Sequence, residues 1–325
     1  MKTNTTNKIF TILLISISVF GIIYFSYSIF TDKKIEKSEN PYEYNIEFYK
    51  NTEENLIHYK EVKRIPILCE NLYGIAIDSS DYLYISADKF LIKLDKNGSE
   101  VFRVNLDHPA KCLTVGKNGN IYLSMKNLVQ VFDESGQKQE KWRDFEDNTL
   151  ITSIAVSTEN VFIADATNKI VLRFDKSGKL IGRIGKKNEA REIPGFVVPS
   201  PYFDLAIDDD GFLWVVNPGR HSFENYTNEG DLRSFWGEYS MKIDGFCGCC
   251  NPSHFAFLSD GSFVTSEKGI IRIKVYNAIG ELVSVVASPD QFSEDTVGLD
   301  LAVDSKDQIY VLDPRLKVIK IYSKM

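Results

Sequence analysis

One stretch of this chain decides its fold: residues 154–178 read IAVSTENVFIADATNKIVLRFDKSG. It contains a short apolar strand with the small residue Ala155 at its centre, then a turn and a second apolar strand that ends in Asp165. A third strand ends in Phe174-Asp175 before a Ser-Gly turn. Alternating apolar runs of this length, separated by turn residues, indicate strands rather than helices. The stretch therefore predicts a run of β-hairpins.

The same pattern occurs six times between Leu72 and the C-terminus. The small central residues of successive units are separated by 38, 41, 51, 50 and 46 positions, and they are Ala76, Thr114, Ala155, Ala206, Ala256 and Ala302. A period of about 40–50 residues with four strands per unit is typical of β-propellers. The sequence thus predicts an all-β fold, a six-bladed β-propeller of four-stranded antiparallel blades.

The sixth unit ends after its third strand, over Val318–Tyr322, so a closed ring needs an outer strand from elsewhere. The segment 58–68 can supply this strand, which would remove an exposed edge and join the two ends of the ring. We therefore expect one propeller domain over residues 57–325.

The repeats resemble those of the NHL-repeat family of six-bladed propellers. The third unit carries the resemblance best, through Val161-Phe162-Ile163-Ala164-Asp165 and Phe174-Asp175, whereas unit two has Lys126 where the family has an acid. The segment Cys247–Tyr276 also resembles a CxCCNP-containing motif of uncharacterised exported bacterial propellers of this kind. The resemblance implies the propeller architecture and a cysteine loop that is a regular feature of the family. It does not select a function, because propellers of this type bind proteins, bind nucleic acids or act as enzymes.

An uncharged apolar run, Ile9–Phe30, precedes the propeller. Its 22 residues are long enough to cross a bilayer, which favours an uncleaved signal anchor over a cleaved signal peptide. The sequence thus predicts a cytoplasmic tail over residues 1–8, a transmembrane helix over 9–30 and a polar tether over 31–56. A short tail before a large domain favours an extracytoplasmic propeller, in the periplasm or at the cell surface.

The formal net charge of -7 argues against a nucleic-acid partner, because nucleic-acid-binding faces are basic. We expect instead a protein, glycan or small-molecule ligand. Two long connections between blades, 185–202 and 237–253, flank blade four and mark a binding face. The residues predicted to bind a ligand there are Asp204, Arg220, His221, Glu267 and Lys268.

One ring of equivalent positions, two residues before each small central residue, is predicted to share a height near the channel mouth. Its members are Gly74, Cys112, Ser153, Asp204, His254 and Asp300. A second set of equivalent acids ends the second strands, among them Asp88, Asp165 and Asp313. We expect these acids to hydrogen-bond neighbouring backbone.

The cysteine loop is the strongest local motif. Cys247 and Cys250 have the C-x-x-C spacing of metal and redox sites, with Cys249 between them and His254 four residues later. Cys112 shares the ring position of His254 and is the fifth candidate ligand for zinc, iron or copper. In an exported domain the same cysteines form disulfides, and an exchanging redox pair is the third possibility. The spacing leaves all three open.

Two functions follow from these features. The first is a membrane-anchored extracytoplasmic propeller that acts as a binding or scaffold module, with the cysteine loop on the face of blades four and five. It is favoured because the sequence has no recognisable catalytic motif. The alternative is a metal-dependent lyase or hydrolase with ligands at the channel mouth, as the resemblance to six-bladed enzymes implies.

Overall fold

The computed structural model describes residues 16–24, 49–142, 145–248 and 250–325. The chain divides into two compact units, Met1–Asn45 and Ile46–Met325. In the first unit, residues 16–24 are helical and exposed. No helix in the described part of the chain is long and apolar enough to cross a membrane, and the remainder of the predicted anchor, 9–15 and 25–30, lies outside the described residues.

The second unit is a ring of six four-stranded antiparallel sheets. The first three blades consist of β2 (Leu72–Ile77), β3 (Leu83–Ala87), β4 (Phe90–Leu94) and β5 (Glu100–Asn105); β6 (Ala110–Val115), β7 (Ile121–Met125), β8 (Leu128–Phe132) and β9 (Lys138–Trp142); and β10 (Ile151–Val156), β11 (Asn160–Asp165), β12 (Ile170–Asp175) and β13 (Leu180–Ile184).

The last three blades consist of β14 (Leu205–Ile207), β15 (Leu213–Asn217), β16 (Ser222–Tyr226) and β17 (Leu232–Trp236); β18 (His254–Phe257), β19 (Phe263–Ser266), β20 (Ile273–Tyr276) and β21 (Leu282–Ala287); and β22 (Asp300–Val303), β23 (Ile309–Asp313), β24 (Val318–Lys324) and β1 (Tyr59–Pro66). The predicted six-bladed propeller is therefore confirmed.

Blade six takes its outer strand from the start of the domain. β1 pairs antiparallel with β24, from Tyr59 opposite Lys324 to Pro66 opposite Val318. Ile65 is buried with Ile319 in the core between blades six and one. Both ends of the ring are thus held in one sheet, and the free edge of β24 is covered.

Residues 49–56, which the sequence analysis placed in the tether, contact the propeller. A short 3-10 helix, Glu54–Leu56, precedes β1. The Ser284 hydroxyl of β21 accepts a hydrogen bond from the His58 amide and donates one to the Leu56 carbonyl. The structured part of the domain therefore begins before residue 57.

The first strand of each blade lines the central channel. The small residue at its centre faces this channel, while its apolar neighbours, such as Ile75, Ile154 and Phe255, are buried between blades. The six first strands converge near the axis, where a small side chain at the centre of each strand avoids crowding. This packing explains the repeated alanine that reveals the fold in the sequence.

Candidate functional site

A cavity of about 330 Å³ occupies the channel. Five of the six predicted ring residues line it, and these are Cys112, Ser153, Asp204, His254 and Asp300. They come from five successive blades, and each lies in the first half of a first strand or just before it. The repeat thus places distant residues at one level of the channel.

His254 lies between two carboxylates in this ring. Its Nδ1 is 3.6 Å from Asp204 Oδ2 and 3.6 Å from Asp300 Oδ1. The side chains are only 17%, 11% and 20% exposed for His254, Asp204 and Asp300, respectively. An imidazole and two acids are therefore brought together in a site that is largely shielded from water.

Both carboxylates are fixed by backbone amides. Asp204 accepts hydrogen bonds from the amides of Leu205 and Phe255. Asp300 accepts them from the amides of Leu301 and, in the next blade, Ile75. Each carboxylate therefore joins its own blade to the following one as well as facing His254.

The charged groups of this cluster shift one another's pKa values. Burial alone would lower the pKa of His254, but the Asp204 carboxylate close to Nδ1 and the charge of Asp300 outweigh it and raise this pKa above its usual value of 6.5. Burial raises the pKa of Asp300, and the His254 charge partly opposes that increase. Both carboxylates therefore stabilise the protonated form of His254 relative to the neutral form.

The second ring nitrogen of His254 has a different environment. In the described part of the chain, no residue forms a hydrogen bond with Nε2 of His254, which lies across the ring from the nitrogen facing the carboxylates. A protonated imidazole carries a donor on each nitrogen. The cluster therefore holds a hydrogen-bond donor in place without satisfying it from the protein.

A lysine and an aromatic ring lie beside His254. Over blades four to six, the ring of Tyr202 stands edge-on to His254 with centroids 6.0 Å apart. Lys268 Nζ lies 4.7 Å from the centroid of the Tyr202 ring and donates a hydrogen bond to Ser200 Oγ at 3.2 Å. These contacts cover His254 on one side.

Over blades one to three, different residues line the cavity: Tyr73, Lys111 and Thr152. Lys111 Nζ stands 3.8 Å from the centroid of the Tyr73 ring, and burial lowers its pKa. The Thr152 hydroxyl donates to the Phe203 carbonyl. Tyr73 and Lys111 thus form a lysine–aromatic pair on this side, as Tyr202 and Lys268 do on the other.

The cysteine loop is held by buried charges. Glu267 Oε2 is 2.9 Å from Arg272, Glu267 Oε1 is 2.7 Å from Lys274, and all three side chains are at most 1% exposed. Lys274 Nζ also donates to the carbonyls of Ile243 and Gly245 in the 237–253 connection. Glu267 was predicted to bind ligand, but its carboxylate is enclosed in blade five and binds these two cations instead.

A buried amide fastens the same loop to blade five. The Asn251 side chain donates to the carbonyls of Cys247 and Lys268 and accepts from the Lys268 amide. The Cys247 thiol is buried near Arg272, at 4.0 Å, and burial raises its pKa. Backbone and buried side chains therefore set the loop's position.

The predicted metal ligands do not converge. Cys112 lies in blade two, where its sulphur contacts Ser124 Oγ at 3.1 Å, whereas His254 faces the carboxylates of the channel. Among the described residues, no group of three or more His, Cys, Asp or Glu side chains is placed to hold a metal ion, and Cys249 lies outside them. Cys247 and Cys112 are free thiols, so no disulfide joins Cys247 to Cys250 in this structure.

Arg220 and His221, which were predicted to bind a ligand, follow β15 but do not line the channel cavity. The Arg220 guanidinium is exposed and reaches the Pro194 carbonyl at 3.5 Å. The His221 ring packs beside Tyr239, with centroids 5.1 Å apart, and burial lowers its pKa. These two residues flank the long connections and are separate from the Asp204, His254 and Asp300 cluster.

The recurring acids at the ends of the second strands bind backbone, as predicted. Asp88 accepts from the amides of Glu70 and Asn71, and Asp313 accepts from the amides of Arg315 and Leu316. Asp165 accepts from the amides of Leu150 and Asn168. Their role is to order the turns and connections around them.

Sequence reasoning missed Tyr73, Lys111, Arg272 and Lys274 as parts of these sites. Lys111 was detectable, because it directly precedes the ring residue Cys112. Lys274 also had a signal, since a lysine occupies an otherwise apolar strand two residues before Tyr276, as Lys320 does before Tyr322. Lys320 is likewise buried, and it donates to the Gln291 carbonyl in the connection between blades five and six.

Comparison with solved structures supports the fold. A selenomethionine-substituted virginiamycin B lyase from Staphylococcus aureus is 13% identical, with a TM-score of 0.59, covering 82% of this chain and 100% of the lyase chain. A streptogramin B lyase is 12% identical, with a TM-score of 0.58 and coverage of 82% and 98%. A catalytically inactive histidine-to-alanine variant of the Staphylococcus aureus lyase with quinupristin is 13% identical, with a TM-score of 0.55. The match covers 82% of this chain and 100% of the variant's chain.

At these identities the likeness shows the fold alone. No protein-family model matches the chain. No curated protein matches it either. The chain is therefore a six-bladed β-propeller, and its NHL resemblance stays a prediction.

Proposed function

We propose that this protein is a binding propeller that holds a small ligand in the mouth of its channel, against His254. One observation carries the proposal: His254, whose Nδ1 faces two carboxylates at 3.6 Å each, lines a cavity of about 330 Å³. Ligand pockets are commonly about 300–1,000 Å³, with apolar walls and a few fixed polar groups. The ligand would accept a hydrogen bond from His254.

Preorganisation supports the same proposal. Asp204 and Asp300 are fixed by four backbone amides, so the imidazole that they face needs little reordering when a ligand arrives. Groups already held in the bound arrangement cost less conformational entropy on binding. The small residues of the first strands leave room for the rest of the ligand.

The test is a fragment screen read by NMR of alanine methyl groups in the full-length protein. Ala76, Ala206, Ala256 and Ala302 line the channel and report binding there, whereas Ala287 is buried away from it. We expect a set of fragments that shifts the channel methyls, leaves Ala287 unchanged and loses affinity in His254→Gln. Fragments that bind only elsewhere would contradict the proposal.

A second candidate is a lyase or hydrolase acting at the same cluster. It is favoured by the charged imidazole beside a cavity, since His254 would then act as a general acid through Nε2. The structural neighbours include lyases, and one of them is inactive as a histidine-to-alanine variant. Turnover of quinupristin or simple esters by the wild type but not by His254→Gln would favour this function over binding alone.

The membrane anchor belongs to the same proposal. Its support is the uncharged apolar sequence Ile9–Phe30, within which residues 16–24 are helical. We place the propeller outside the cytoplasm, and we group its repeats and cysteine loop with the NHL-like exported propellers that they resemble. Fractionation with alkaline extraction tests the anchor, and protease protection in intact cells tests the side on which the propeller lies. Release of the protein by alkali would contradict the anchor.

A further inference from the structure

We infer that the ligand is a small organic anion held between Lys111 and His254. This inference rests on the proposed function and adds the chemical class of the ligand. It follows from the polar groups of the cavity that remain available and from the positions of Lys111 and His254 on its walls.

Each carboxylate oxygen of the cavity already accepts one hydrogen bond. Both oxygens of Asp204 and both oxygens of Asp300 accept a backbone amide. The Thr152 hydroxyl donates to the Phe203 carbonyl, and Ser153 Oγ accepts from the Leu205 amide at 3.3 Å. A ligand that brings donors would therefore have to compete with bonds that join neighbouring blades.

Two donors remain for a ligand. Nε2 of His254 has no hydrogen-bond partner among the described residues, and Lys111 Nζ meets a π face, that of Tyr73, rather than an acceptor. A lysine over an aromatic ring keeps its charge and can still donate on its other side. Both groups line the same cavity, and both favour an oxygen anion.

The ring places these donors on opposite walls. The six blades follow one another around the axis, so blade two, with Lys111, faces blade five, with His254. The ring of Tyr202 stands edge-on to His254 at this wall. An anion held in the cavity would therefore lie between Lys111 on one wall and His254 on the other.

Charge selects against a cationic ligand. The two carboxylates are offset by His254 and by four amide dipoles, so an incoming ammonium group would be repelled by Lys111 and would meet only carboxylate oxygens that each already accept one amide. A neutral amide would satisfy one donor but would gain no attraction from the lysine. The cavity therefore discriminates by charge as well as by shape.

Three compounds with the same ring test the inference: benzoate, benzamide and benzylamine. Each is titrated into the full-length protein while NMR follows the His254 ring and the Ala256 methyl. We expect benzoate to shift both signals with at least tenfold higher affinity than benzamide, and benzylamine to leave them unchanged. Lys111→Met should weaken benzoate at least tenfold, and Lys111→Arg should restore part of the affinity.

Lys126→Met is the matched control, because Lys126 follows β7 in the same blade but does not line the cavity. It should leave benzoate binding unchanged. If benzylamine or benzamide shifted the His254 signals with the same affinity as benzoate, the inference that the ligand is an anion would be wrong, although the channel would still bind a ligand. Failure of all three compounds to move these signals would also overturn the anion, and the fragment screen would then decide separately whether the channel binds anything.

Discussion

Replacing Glu267 by Gln should destabilise the propeller strongly, because this carboxylate neutralises two buried cations. Its oxygens lie 2.9 Å from Arg272 and 2.7 Å from Lys274, and none of the three side chains is more than 1% exposed. The amide keeps the size of the side chain but removes its charge. The variant therefore isolates electrostatics from packing.

The magnitude follows from the burial. Removing one partner of a buried ion pair costs about 3–5 kcal/mol, because the remaining charge is left uncompensated in the interior. Here two cations lose their partner, and Lys274 also holds the carbonyls of Ile243 and Gly245. We therefore expect the free energy of unfolding to fall by about 3–5 kcal/mol in urea titrations followed by tryptophan fluorescence.

A control and a double variant make the test specific. Asp295→Asn removes the partner of Arg315 in an ion pair whose side chains are 60% and 61% exposed, and it should cost less than about 1 kcal/mol. Adding Lys274→Met to Glu267→Gln should cost less than the sum of the single changes, since one uncompensated cation disappears with it. A loss below about 1 kcal/mol for Glu267→Gln would refute the buried network.

Three further changes give expected outcomes at other points of the fold. Asp300→Asn should lower the pKa of His254 in an NMR titration, because one of the charges that raise this pKa is lost. In the wild type, the stability that His254 contributes is complete below pH 6.5 and is lost as the pH rises through the higher pKa of the folded state. Gly185→Ala should cost about 3 kcal/mol by thermal unfolding, since φ is +83° and the new Cβ would lie 1.7 Å from Phe196. Ile65→Ala should cost about 2–5 kcal/mol in urea by opening a cavity beside the closing strand.

Each of these changes has a matched control. Asp88→Asn should leave the pKa of His254 unchanged, because Asp88 binds backbone away from the channel. Gly261→Ala also has positive φ but meets no atom within 4 Å, so it should cost only about 1 kcal/mol. Val62→Ala, at a side chain that is largely exposed, should stay within about 0.5 kcal/mol. A control that costs as much as its partner would contradict the structural reason given for it.

The fold was predictable because its signal repeats. A small residue flanked by apolar ones is required wherever a first strand approaches the axis, so six weak matches reinforce one another. The same equivalence identified the ring, and with it Asp204, His254 and Asp300, before any contact was known. Positions related by a repeat share a height, and this physical relation can be read from spacing alone.

The cysteine loop was not predictable in the same way. Its C-x-x-C spacing is equally suited to a disulfide, a metal site or a redox pair, whereas its position depends on Lys274, which contacts carbonyls about 30 residues earlier. The burial of Glu267 follows from that contact too. Such contacts are set by how a long connection folds back onto its blade, and residue types at a fixed spacing do not determine this.

The most direct measurement is a crystal structure of the protein grown with benzoate. We expect a carboxylate in the channel that accepts hydrogen bonds from His254 Nε2 and Lys111 Nζ, with Asp204 and Asp300 still bound to their backbone amides. Benzoate bound only outside the channel, or a His254 Nε2 satisfied by the protein itself, would contradict the claim that this cluster is a ligand site.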